Sequence, residues 1–164
     1  MSFPKLTLST FPSAEELQYL SDWETNDGTA NVCISVWQYA KILLAMDQAG
    51  LINQRTKKAL RELYFEHLPL TADELTERLG EKDKIVVQGQ HGLGGFASAF
   101  LAQLRQEFPA LVFPQPYSGT GNVFIQVILD LFLDKKDGNV YFYLRSRFRA
   151  TLAVCFGDDV IKNW

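Results

Sequence analysis

Two apolar runs, VFIQVILDLFL over 123–133 and NVYFYLRSRFRATLAVCF from Asn139, meet at the polar stretch DKKDGN. Its Asp137-Gly138 dipeptide suits the left-handed turns that join antiparallel strands, so the two runs read as a long C-terminal hairpin. If Leu133 pairs with Val140, the two-residue period of a strand puts Val123, Ile125, Val127, Leu129, Leu131 and Leu133 on one face. Phe142, Leu144, Phe148, Ala150 and Leu152 share that face, which is therefore the core side. The opposite face collects Phe124, Gln126, Ile128, Asp130 and Phe132 with Tyr141, Tyr143, Arg145, Arg147 and Arg149. A two-stranded hairpin is marginal in water by itself, so the remaining chain must cover it.

That remaining chain reads mainly as helices with clear start and stop signals. Lys5 to Thr10 alternates as a short strand, and Ser13 with Glu16 forms a capping box for a helix to about Trp23. Glu24 to Asn31 is an acidic loop. From Ser35 a strongly apolar helix carries Trp37, Ala40, Leu44 and Gln48 along one stripe, and Gly50 closes it. A second helix from about Asn53 turns Ala59, Leu60, Leu63, Tyr64 and Leu68 inward until Pro69 stops it. Thr71 and Glu74 cap a short third helix that Gly80 ends. Beyond it, Lys84 to Gln88 reads as a strand, GQHGLGG as a turn, Phe96 to Phe108 as a helix and Leu111 to Phe113 as a brief strand. The tail GDDVIKNW makes a last turn docked through Val160, Ile161 and Trp164. The expected class is α+β, one globular domain over 1–164, with helices packed on one face of a mainly antiparallel sheet.

Composition supports a buried core: the chain has 164 residues, 47% of them hydrophobic and 21% charged, unlike a disordered segment. The N-terminus lacks the apolar run of a signal peptide, and no segment approaches the roughly 20 apolar residues of a membrane helix. A cytoplasmic location without a membrane partner is therefore expected. Cys33 and Cys155 are too few and too distant for a zinc site, and two buried thiols are the expected state. No metal or cofactor is expected.

The net charge of -3 conceals opposed patches. Residues 1–34 carry Glu15, Glu16, Asp22, Glu24 and Asp27 against Lys5, whereas residues 135–149 carry Lys135, Lys136, Arg145, Arg147 and Arg149 against Asp137. Such asymmetry points to charged partners or to pairing of the two ends with each other.

Candidate chemistry gathers in KIVVQGQHGLGGFASAF. Gly92, Gly94 and Ala97 follow the G-x-G-x-x-A spacing by which dinucleotide-binding turns bring backbone amides to a pyrophosphate. An acidic ribose ligand and a repeating βαβ pattern are both missing. Over about ten residues HGLGG also resembles the oxyanion loop of the α/β-hydrolases. That family needs a G-x-S-x-G elbow and a later histidine, and neither follows His91. A candidate ligand turn thus comprises Gly89, His91, Gly92, Gly94 and Gly95, with no catalytic set assembled around it. His67, at the end of the second helix, suits a cationic cap for the helix dipole.

The leading expectation is a protein-binding module, of inhibitor or immunity type, that neutralises a partner by covering its active surface. A basic toxin nuclease would suit an acidic inhibitor, with Asp22, Glu24 and Asp27 as one set of contacts. Tyr141, Tyr143, Arg145, Arg147 and Arg149 would form another, because tyrosine and arginine dominate contact hot spots. Two alternatives are a small enzyme or nucleotide-binding protein using the glycine turn, and binding of single-stranded RNA on the arginine-tyrosine face. The acidic pI of about 5.4 disfavours RNA.

Overall fold

The capping box at Ser35 opens the first helix of the computed structural model, which describes residues 34–80, 92–111, 127–133 and 136–164. The Ser35 hydroxyl accepts from the Gln38 amide at 3.1 Å, and the Gln38 side chain accepts from the Ser35 amide at 2.9 Å. Two otherwise orphaned donors are thereby satisfied inside the core. Helix α1 runs Val36–Gln48 and buries Tyr39, Ile42, Leu43 and Met46. Its deepest stripe is offset from the expected one, since Trp37 is only partly buried and Gln48 is exposed. At the far end Leu51 N–H reaches the Met46 carbonyl and Gly50 N–H the Asp47 carbonyl. This paired closure is a Schellman motif and requires the left-handed φ of +70° that Gly50 adopts.

Helix α2, Gln54–Phe65, is capped by Asn53 and buries Thr56, Ala59, Leu60 and Leu63. It stops four residues before Pro69, earlier than expected. Residues preceding a proline favour extended backbone, and Leu70–Thr71 forms strand β1. Leu68 consequently lies outside the helix at 71% exposure, not on its inner face. Thr71 also caps α3, Ala72–Arg78, accepting from the Glu74 amide at 3.1 Å. Helix α4, Leu93–Glu107, begins three residues before Phe96 and buries Phe96, Ala97, Phe100, Leu101 and Leu104.

Strands β2, Leu129–Leu133, and β3, Val140–Leu144, pair antiparallel with Leu133 opposite Val140, the expected register. β1 joins the other edge of β3, giving a three-stranded antiparallel sheet in the order β1-β3-β2. The fold is α+β, with six helices among the described residues. The long hairpin needs correction. After Leu144 the chain turns into helix α5, Ser146–Cys155, and then α6, Asp158–Lys162. Phe148, Thr151, Leu152 and Cys155 are buried at helical spacing. Ile128, expected on the outer face, is buried because β2 starts only at Leu129.

Helices α1, α4 and α5 meet around an aromatic triangle. Tyr39 lies 6.0 Å from Phe100 and 5.4 Å from Phe148, and Phe100 meets Phe148 edge-on at 5.8 Å. Edge-on packing of this kind adds roughly 0.5–1.5 kcal/mol per pair beyond area burial. The Tyr39 hydroxyl would be an unsatisfied polar group there, but it donates to the Val127 carbonyl at 2.6 Å. At the end of the chain Ile161 is buried and Trp164 packs edge-on against Phe156 at 5.0 Å. Val160, expected to dock, is 42% exposed instead.

Candidate functional site

The switch from strand to helix at Arg145 reorganises the predicted arginine face. Tyr141 and Tyr143 remain on β3, opposite Phe132 and Asp130. Arg145 occupies the N-cap position of α5 and is 2% exposed, while Arg147 and Arg149 project from α5 itself. The five residues therefore do not form one strand face. Each arginine is also engaged within the chain. The Arg145 amide donates to Ile128 at 3.0 Å, and Arg147 Nη1 donates to the Ile34 carbonyl at 3.4 Å. Tyr141 donates its hydroxyl to Asp137 at 2.7 Å; this bond and, more strongly, the Asn139 amide hold the Asp137 carboxyl below its usual range.

Arg149 has the most extensive set of contacts. Its Nη1 donates to the Tyr64 carbonyl and its Nη2 to the Glu66 carbonyl at 3.2 Å. The guanidinium also lies 5.0 Å from the Tyr143 ring centroid. It thus supplies the cation and the donors that the last turn of α2 lacks. His67 was the expected cap, but it sits exposed beyond the helix end with no hydrogen bond from its ring among the described residues. The next residue back, Glu66, pairs with Arg78, a bond that holds its carboxyl below the usual range.

Beside this junction an open cleft of about 460 Å³ separates the end of α2 from α5 and α6. Tyr64, Phe65 and His67 form one wall, Ser146, Arg149, Ala150 and Ala153 of α5 the floor, and Asp158 of α6 the far side. The Tyr64 hydroxyl donates to Asp158 Oδ1. Burial, then the bond to Asp158 and its charge, push this hydroxyl up to about 12, with Arg149 opposing. α6 is held in place by that bond and by Arg61 donating to the Trp164 carbonyl. Gly157, at φ +84°, makes the sharp turn between α5 and α6.

Ser146, His67 and Asp158 are the residue types of an acyl-transfer triad, but no hydrogen bond links them. The carboxylate is turned to Tyr64, so neither a base nor an oriented nucleophile is assembled. Three of the four large exposed apolar side chains among the described residues, Phe65, Leu68 and Val160, line this cleft or lie within two residues of its lining. Sequence reading missed this grouping because it comes from three elements. The one local hint was Leu68, which is separated from the helical pattern by the extended bias before Pro69.

The other expected sites are less accessible or lie elsewhere. Gly92 is the N-cap of α4, and Gly94 and Gly95 belong to its first turn, with Gly92 and Gly94 buried. Gly89, His91, Asp22, Glu24, Asp27 and Cys33 lie outside the described residues, as do the expected strands at 5–10 and 84–88 and the helix ending at Trp23. Cys155 is a buried thiol. Among the described residues no cluster of His, Cys, Asp and Glu could hold a metal ion, and no helix is long and apolar enough to cross a membrane. Compared with protein-family models, curated proteins and solved structures, the chain matches none.

Proposed function

We propose that the protein is a cytoplasmic protein-binding module of inhibitor or immunity type, which neutralises a partner by covering its active surface. The observation that carries this reading is exposed Phe65 in the wall of a cleft whose polar groups mostly hold the fold together, with exposed Leu68 and Val160 within two residues of its lining. Arg149 is committed to the end of α2 and Tyr64 to Asp158. Such a surface offers apolar area and a fixed polar pattern, which suits recognition more than bond-making. The negative total charge favours a basic partner such as a nuclease toxin, with Asp22, Glu24 and Asp27 as further proposed contacts. Tyr141 and Tyr143 extend the proposed contact area on β3, with Arg145, Arg147 and Arg149 supporting it from the start of α5.

A photo-crosslinking residue placed at Leu68 in the native host tests this. One stoichiometric adduct is expected from Leu68 and none from Lys58, an exposed position on α2. The purified protein should then abolish the activity of the adduct's partner. Recovery of no stoichiometric protein overturns the reading. Thermal stabilisation by a nucleotide instead would move the function to the glycine turn.

A further inference from the structure

We infer that the cleft between α2, α5 and α6 receives an arginine side chain of the partner, while an apolar residue next to that arginine rests on Phe65. This rests on the reading of the protein as a binding module and names the chemistry of what it binds. The floor is the first reason. Ala150 and Ala153 are one turn apart on α5 and exposed, so they offer a strip of methyl groups to the aliphatic stem of a long cationic side chain.

The acceptors are the second reason. Asp158 uses Oδ1 for the Tyr64 hydroxyl, and its Oδ2 has no hydrogen bond or ion pair among the described residues. Anchored by Tyr64, the carboxylate is already oriented, so less ordering is needed on binding. Ser146 and His67 line the same cleft, and their side chains likewise have no hydrogen-bond partner among the described residues. A guanidinium brings five N–H donors in a planar fork and can use several such acceptors together, which an ammonium does less well. Phe65 adds an aromatic surface. It is 44% exposed and held edge-on to Tyr64 at 4.9 Å, and guanidinium groups stack on such rings.

Charge decides between a cationic and an anionic visitor. The one strong cation lining the cleft among the described residues, Arg149, is bound to two carbonyls at the end of α2, where the helix dipole supplies about half a negative charge. Asp158 presents its carboxylate on the far side of the cleft. A partner carboxylate or phosphate meets the Asp158 carboxylate unfavourably, whereas a guanidinium is attracted. The net charge of -3 acts in the same direction during approach.

The probe is the blocked dipeptide N-acetyl-Arg-Leu-amide, titrated into the full-length protein and followed by amide chemical shifts. N-acetyl-Glu-Leu-amide serves as the control. Shifts confined to Phe65, Ala150, Ala153 and Asp158 are expected with the arginine peptide only. Asp158→Asn keeps an oxygen for Tyr64 but removes the charge, and should weaken binding about three- to fivefold, as expected for one exposed ion pair. Ala150→Trp fills the floor at an exposed position and should abolish binding even if the Asn variant folds poorly. Equal shifts with both peptides, shifts scattered over the surface, or unchanged binding in a folded Asp158→Asn variant overturn the inference. A Leu68 adduct without arginine binding would reject this cleft chemistry alone. Arginine binding without any adduct would reject the binding-module reading.

Discussion

Replacing Arg149 by Met isolates the junction that builds the cleft, because Met keeps an unbranched stem and a good helix propensity while removing charge and donors. Three interactions disappear: two hydrogen bonds to the carbonyls of Tyr64 and Glu66, and the contact with the Tyr143 ring at 5.0 Å. Hydrogen bonds from a charged donor contribute about 1.5–3 kcal/mol each when buried. Arg149 is only partly buried, and water can replace it at both carbonyls, so the pair together is placed near 1.5–2 kcal/mol. The ring contact adds about 0.5–1 kcal/mol. The expected loss is therefore about 2–3 kcal/mol, and with a urea slope near 2 kcal/mol/M the midpoint falls by about 1–1.5 M. Arg149→Lys retains a cation near the helix end without the fork and should recover roughly half of that loss. A double-mutant cycle with Tyr143→Leu should give a coupling of about 0.5–1 kcal/mol. A midpoint for Arg149→Met within about 0.2 M of the parent would refute the bracing role. Full stability of Arg149→Lys would refute the claim that fork geometry matters.

In an alkaline absorbance titration, Tyr64 should ionise near 12 while an ordinary tyrosine ionises near 10. Its folded value is raised, so the associated stability is present below the ordinary value and is lost as pH rises through the folded one. Asp158→Asn should lower that late step without restoring the ordinary value, because burial is the largest cause. Tyr39→Phe should destabilise by about 1–3 kcal/mol in chemical unfolding, since the Val127 carbonyl loses its buried donor; an unchanged midpoint would contradict that bond. Gly50→Ala should cost about 1–2 kcal/mol, measured the same way. An added Cβ there meets nothing within 4 Å, so the whole effect is backbone conformation, and a neutral substitution would argue against the left-handed closure.

Local signals in the chain were readable where their partners were local too. Ser35 with Gln38, Thr71 with Glu74, and Gly50 act within a single helix turn. The pairing of Leu133 with Val140 follows from the alternation on both strands and the Asp137-Gly138 turn. Beyond Leu144 the apolar pattern is ambiguous, because Phe148 and Leu152 are spaced so that they share a face in a strand and in a helix alike. Ser146 was the available warning: a long strand would put it on the apolar face. The cleft was illegible for a different reason. Arg149 caps carbonyls 85 and 83 residues away, and no local pattern specifies such a meeting.

The bond from Tyr39 to Val127 has a consequence for the timing of assembly. Eighty-eight residues separate its two ends, and Phe148 comes later still. At about 5–20 residues per second, synthesis takes on the order of 4–18 s to deliver the acceptor after the donor. Throughout that interval α1 has its aromatic stripe made and nothing of α5 to set against it. A chain interrupted before Phe148 therefore leaves the Tyr39 and Phe100 rings without their third partner and open to proteases and chaperones. Closure of the triangle waits for synthesis to pass Phe148, so these core rings are sheltered only once α5 has been made.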